Sequence, residues 1–123
     1  MKKFTYLLFC LMLVKFESAQ NVTWASNIAP ILYSNCTKCH HDGGIAPFSL
    51  LDYNDAYQQR NSIKSDVTIK KMPPWPPDPN YIRLAHERLL TPAEISLITN
   101  WVSAVAPEGN VNVAPTPPAY TYG

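Results

Sequence analysis

Five consecutive residues, Cys36-Thr37-Lys38-Cys39-His40, carry the densest chemistry in the chain. Two thiols three positions apart, with a histidine directly after the second, fit covalent attachment of haem. Each thiol would add across one vinyl group of the porphyrin, and His40 would lie under the iron as proximal ligand. One helical turn separates Cys36 from Cys39, and His40 projects beside the second anchor. A zinc knuckle built on the same thiols with His40 or His41 draws its second ligand pair from a separate hairpin or helix. No second Cys-x-x-Cys or His-x-x-x-His is present. A thioredoxin-like redox pair needs a βαβ context that the sequence lacks. A plain disulfide is the simplest alternative.

Haem held by one histidine needs a ligand on its other side. Met72 heads the run Met72-Pro73-Pro74-Trp75-Pro76-Pro77-Asp78-Pro79, in which five prolines fall within seven residues. Such a run is neither helix nor central strand but a stiff extended loop. A soft, uncharged thioether on a rigid loop suits a distal iron ligand and loses little entropy when it binds. A lone methionine otherwise fills gaps in a core. Met1 and Met12 belong to an N-terminal leader, and His41 is too close to His40 to cross a porphyrin. His86 is the alternative distal ligand. Trp75 is expected to cover the haem edge, with its indole N–H free for a propionate. A backbone carbonyl near Pro47 is the candidate acceptor for the second ring nitrogen of His40. Phe48 and Leu50 are expected on a haem face, with ordinary core packing the alternative for Phe48. Arg60 or Lys64 could meet a propionate, although charges on a helix face are usually just solvated.

The elements that must position these residues are set by periodicity and capping. A helix is expected over about residues 26–35, capped by Ser26 or Asn27, with Pro30 in its first turn and Ile28, Ile31 and Leu32 on one face. It delivers Cys36 directly. His41-Asp42-Gly43-Gly44 reads as a turn with two glycines free to take positive φ. Asp52 or Asn54 can cap a second helix to about Val67, with Tyr53, Ala56, Tyr57, Ile63 and Val67 inward. Tyr81, Ile82 and Leu84 lie in a connection that could close the cavity. Thr91-Pro92-Ala93-Glu94 is a capping box with proline at the first helical position. Ile95, Ile98, Trp101 or Val102, and Val105 continue from it as an apolar stripe, ending near Ala106, before Pro107. This last helix should cross the first, with Trp101 near Ile28 or Leu32. Residues 111–123 read as a Pro-rich tail or linker without a core of its own. The fold class is therefore all-α, with three main helices and loops around one covalently bound haem.

The 123 residues leave room for one domain. Residues 1–19 read as a signal peptide: Lys2 and Lys3, an apolar run over residues 4–14, then a short polar segment ending at Ala19. Cys10 falls in the apolar run and would be removed with it. That leaves Cys36 and Cys39 as the two thiols of a domain spanning residues 20–110. Export agrees with the motif, because haem attachment of this kind is completed outside the cytoplasm, in bacteria in the periplasm. Loss of Lys2, Lys3, Lys15 and Glu17 turns ten bases and nine acids into seven and eight, a formal charge of −1. Nothing in that balance points to nucleic acid or an anionic membrane surface as partner. No stable membrane span is expected once the leader is gone.

With these parts in place, the chain resembles a monohaem c-type cytochrome domain over about residues 22–110. More narrowly, Ile28-Ala29-Pro30-Ile31-Leu32, Met72-Pro73-Pro74-Trp75, Glu87-Arg88-Leu89, Trp101-Val102-Ser103-Ala104 and Ala106-Pro107-Glu108-Gly109 are similar to a group of bacterial exported cytochrome c domains. Such domains often stand N-terminal to larger proteins, including ones with a copper type II ascorbate-dependent monooxygenase-like domain. The resemblance implies a small cytochrome c-like fold, thioethers at Cys36 and Cys39, and His40 and Met72 as axial ligands. It implies an electron carrier, not an enzyme, serving a redox partner protein. The alternative is the N-terminal redox module of a larger, for example copper-dependent, oxidoreductase whose chain continues past Gly123. A third reading is a gas-binding haem sensor in which Met72 is displaceable.

Overall fold

The computed structural model describes residues 21–74 and 88–121. The segment expected to be a signal peptide, Trp75, Tyr81, Ile82, Leu84 and His86 lie outside the described residues. Within them the secondary structure is helical, without strands: a π-helical turn at Trp24–Ile28, α1 at Ala29–Asn35, α2 at Tyr53–Thr68, α3 at Pro92–Ser103 and a short 3₁₀ turn at Val111–Val113. This agrees with the all-α expectation. No described helix is long and apolar enough to cross a membrane.

The first helix starts earlier than its 3.6-residue period suggests. Thr23 is the cap, with its hydroxyl accepting from Ser26 N–H at 3.3 Å, while Asn27 Oδ1 accepts from Thr23 N–H at 3.0 Å. The cap is thus neither Ser26 nor Asn27, and Trp24 is a buried core residue. The wide turn ahead of Ala29 lets Pro30 enter at the start of α1, where a missing N–H costs nothing. The N–H groups of Trp24 and Ala25, left without partners at a helix start, donate to Pro107 and Glu108 carbonyls at 2.9 Å each. The chain leaving α3 is therefore tied to the head of the first helix. At Gly109 (φ +81°) a β-carbon would meet the Thr23 side chain, so glycine serves both the turn and the close approach there.

Helix α2 is capped by Asp52, whose carboxylate accepts from Asp55 N–H at 2.9 Å, and buries Ala56, Ile63 and Val67. Helix α3 carries the full capping box between Thr91 and Glu94 and buries Ile98 and Trp101. It packs against α2 and against the π turn, so it crosses the head of the first helix. Trp101 and Ile28 are fully buried in the shared core, as is Leu32. The Trp101 indole donates to Pro107 O at 3.0 Å. Trp24 stands edge-on to Tyr33 and Tyr53, and Tyr53 O–H reaches Ala106 O at 2.9 Å.

The apolar stripe of α3 stops short of Val105. Ala106 N–H returns to Trp101 O at 2.8 Å and Val105 N–H to Val102 O at 3.1 Å, the two bonds of a Schellman closure. That closure needs a left-handed residue, and Val105 takes it at φ 66° with its side chain 73% exposed. A β-branched residue is strained in this region, where glycine is not. Val105→Gly is expected to raise stability by about 1 kcal/mol, strain relief outweighing glycine's added unfolded-state entropy. Chemical denaturation of the two chains measures it.

The segment past residue 110 is not a free tail. Asn110 Oδ1 caps the 3₁₀ turn through Asn112 N–H at 3.0 Å, and Ala114 packs against the core. The chain then runs back across the molecule to Tyr120, beside the Cys36–Cys39 segment. Local composition does not reveal this, because the contacts lie dozens of positions away.

Candidate functional site

Cys36 caps the C-terminus of α1, its N–H donating to Leu32 O at 2.8 Å. The chain then makes a tight turn in which Cys39 and His40 N–H both donate to Cys36 O, at 3.1 and 3.0 Å. Both cysteines are free thiols. The turn brings Cys36, Cys39 and His40 onto the wall of one cavity of about 270 Å³, beside Asn35. Ile45, Ala46 and Pro47 form a second, mainly apolar stretch of wall. Met72, Pro73, Pro74 and Arg88 complete it. Ile45 is 90% exposed, an apolar side chain on the rim of an apolar cavity.

His40 Nδ1 lies 3.2 Å from Phe48 O, the geometry of an N–H donating to a carbonyl. The acceptor is thus one residue beyond Pro47; Pro47 itself is wall. Phe48 packs its ring on His40, centroids 4.5 Å apart, and does not line the cavity, while Leu50 is buried in the core. Burial pushes the His40 pKa below the ordinary histidine value, with the Phe48 carbonyl acting against it. The shift favours the neutral imidazole, the form that binds a metal. The Cys36 thiol is pushed up to about 12 by burial first and by the neighbouring Cys39 second, with Arg88 opposing.

The glycines of the turn act differently from each other. Gly43 takes a positive φ of 76°. Gly44 does not, but a β-carbon there would strike the Cys39 carbonyl and the His41 ring. Gly44 is thus a requirement of space.

Met72 reaches the cavity because of how α2 ends. Lys70 sits left-handed at φ 58°, and Lys71 N–H donates to Asp66 O at 2.8 Å, with Lys70 N–H to Val67 O at 3.2 Å. This second Schellman closure turns the chain sharply, and Met72 N–H also points to Asp66 O at 3.2 Å. Pro73, buried directly after, fixes the exit.

Of the two cations expected near a propionate, neither lines the cavity. Arg60 lies over the Tyr57 ring, 3.9 Å from its centroid, and Lys64 donates to Ser103 Oγ at 3.0 Å. Arg88 is the cation at the site, with a guanidinium nitrogen 3.7 Å from Cys39 Sγ. In the sequence Arg88 stands out only within Glu87-Arg88-Leu89, which gives it no role at the site, because an arginine outside any periodic element has no predictable direction. Among the described residues, no group of three or more His, Cys, Asp or Glu side chains gathers to hold a metal ion. Trp75 and His86 lie outside those residues.

Compared with protein-family models, curated proteins and solved structures, the chain matches none.

Proposed function

We propose that the chain is an exported monohaem c-type cytochrome that carries single electrons. The observation that supports this best is the convergence of Cys36, Cys39, His40 and Met72 on one apolar cavity, from two segments more than thirty residues apart. Two free thiols, a neutral imidazole and a thioether are the donor set a covalently held, six-coordinate haem requires. Cys36 and Cys39 would hold the group by thioethers, with His40 and Met72 as its axial ligands. When bound, it supplies a reversible one-electron couple between ferrous and ferric iron.

The protein's own contribution is positioning and exclusion. Phe48 O accepts the Nδ1 proton of His40, which selects the tautomer that leaves Nε2 free as a ligand and raises its basicity. The Phe48 ring, tilted against the imidazole, limits its rotation. Ala46, Pro47, Pro73 and Pro74 give the cavity a mainly apolar wall, and an apolar surround would favour the less charged, reduced form. Met72, fixed between the α2 closure and Pro73, would supply a ligand that raises the potential relative to a second histidine. Were His40 and Met72 both ligands, no open position would remain for a substrate, which argues for transfer and against catalysis at the metal. Ile45 on the rim offers an apolar contact for a redox partner protein. The test is an absorption spectrum, in both oxidation states, of the chain exported alongside the haem-attachment machinery. A low-spin haem that survives acid–organic extraction supports the proposal, and a colourless protein overturns it.

A further inference from the structure

The cavity explains one side of the turn at residues 36–41; its other side is held by the end of the chain. Thr37, between the two thiols, is the one polar residue in the described core, 0% exposed. Its hydroxyl donates to Tyr33 O at 3.0 Å and lies 2.8 Å from Tyr120 O–H. A threonine hydroxyl has a single proton, so the phenol donates to Thr37 Oγ1. The same Tyr120 ring stacks on His41, centroids 4.2 Å apart and planes 19° from parallel. His41 in turn has Nδ1 2.7 Å from Thr37 O, the ring N–H donating to the carbonyl. One side chain, 83 positions from Thr37, thereby grips both the first residue after Cys36 and the residue after His40.

The path to this contact is pre-set. The turn at Gly109, the Asn110 cap and Ala114 on the core aim the chain, and Pro115, Pro117 and Pro118 stiffen it. Stiff segments lose little entropy on docking, so two modest contacts suffice to hold the end in place.

We propose that residues 114–120 form a strap that fixes the attachment turn, with Tyr120 as a positioning residue for His40. Calling His40 a ligand rests on the haem reading; the strap itself rests on the contacts of Tyr120. Thr37 and His41 bracket the segment that carries Cys39 and His40, so their fixation limits how that segment rotates about Cys36 O. The strap therefore acts on the imidazole through the backbone, without touching the cavity.

The experiment compares the exported full-length chain with Tyr120→Phe, which keeps the ring and loses the hydroxyl, and Tyr120→Ala, which loses both. Amide hydrogen exchange is read at Cys39 and His40, with amides in the middle of α2 and α3 as reference, and the reduction potential is measured alongside. Tyr120→Ala is expected to speed exchange at Cys39 and His40 roughly tenfold, the loss of a hydrogen bond and a stacked ring, while the reference amides hold. Tyr120→Phe should fall between, and the potential should shift in the same rank order. Unchanged exchange in Tyr120→Ala, or an equal rise at the reference amides, overturns the strap. A wild type without covalent haem would overturn the haem reading and leave the exchange result standing on its own.

Discussion

A chain in which Cys36 and Cys39 are both alanine is expected to reach the exported compartment without covalent haem. The two thiols share the cavity wall with His40, and the third cysteine of the sequence, Cys10, falls in the segment read as a signal peptide. Each single variant should keep one thioether, hold haem in lower yield and show an altered reduced spectrum. The asymmetry of the site makes the pair informative. Cys36 caps the end of α1 with a thiol pushed up to about 12, whereas Cys39 sits beside the Arg88 guanidinium. Acid–organic extraction of haem, then absorbance of the protein pellet, measures the result. Full covalent loading of the double variant would remove the thiols from the account.

Trp101→Ala is expected to cost about 3–5 kcal/mol, the range for truncating a large buried aromatic. Trp101 is 0% exposed, and its indole N–H is satisfied by Pro107 O. That carbonyl also accepts from Trp24 N–H, so the tryptophan supports the joint that ties the end of α3 to the head of the first helix. A domain of this size has a total stability of about 5–15 kcal/mol, so such a loss takes a large share of it. Urea denaturation should show a lower midpoint with little change in slope. Trp101→Phe, which keeps most of the apolar volume and loses the hydrogen bond, should lie between. An unchanged midpoint in Trp101→Ala would contradict the packing described.

Those elements whose signals are local are legible in the sequence. The capping box at Thr91 and Glu94 and the Asp52 cap each depend on residues three positions apart, and the structure shows both. Met72 stands out through the proline run after it, which fixes a side chain at its head. The differences arise where distant contacts decide. Trp24 opens a π turn whose wider repeat falls outside a 3.6-residue template, so its burial is invisible to periodicity. Val105 fits the apolar stripe by spacing, but the Schellman closure turns it outward. The carbonyl that meets His40 belongs to Phe48, because the turn at Gly43 and Gly44 sets that register. Arg88 reaches the site, and Tyr120 the turn behind it, from other parts of the chain, and helical periodicity announces neither contact. Proline-rich composition reads as linker, though the same stiffness makes a good strap.

Ligation of iron by both His40 and Met72 is the central claim, and one spectrum addresses it most directly. The exported wild type and Met72→Ala are each recorded oxidised and reduced, with attention to the far-red methionine–iron band of the oxidised form. The account predicts that band in a low-spin wild type and its loss in Met72→Ala, which keeps its covalent haem. A low-spin wild type without the band, or a band that survives in Met72→Ala, would contradict the assignment of Met72.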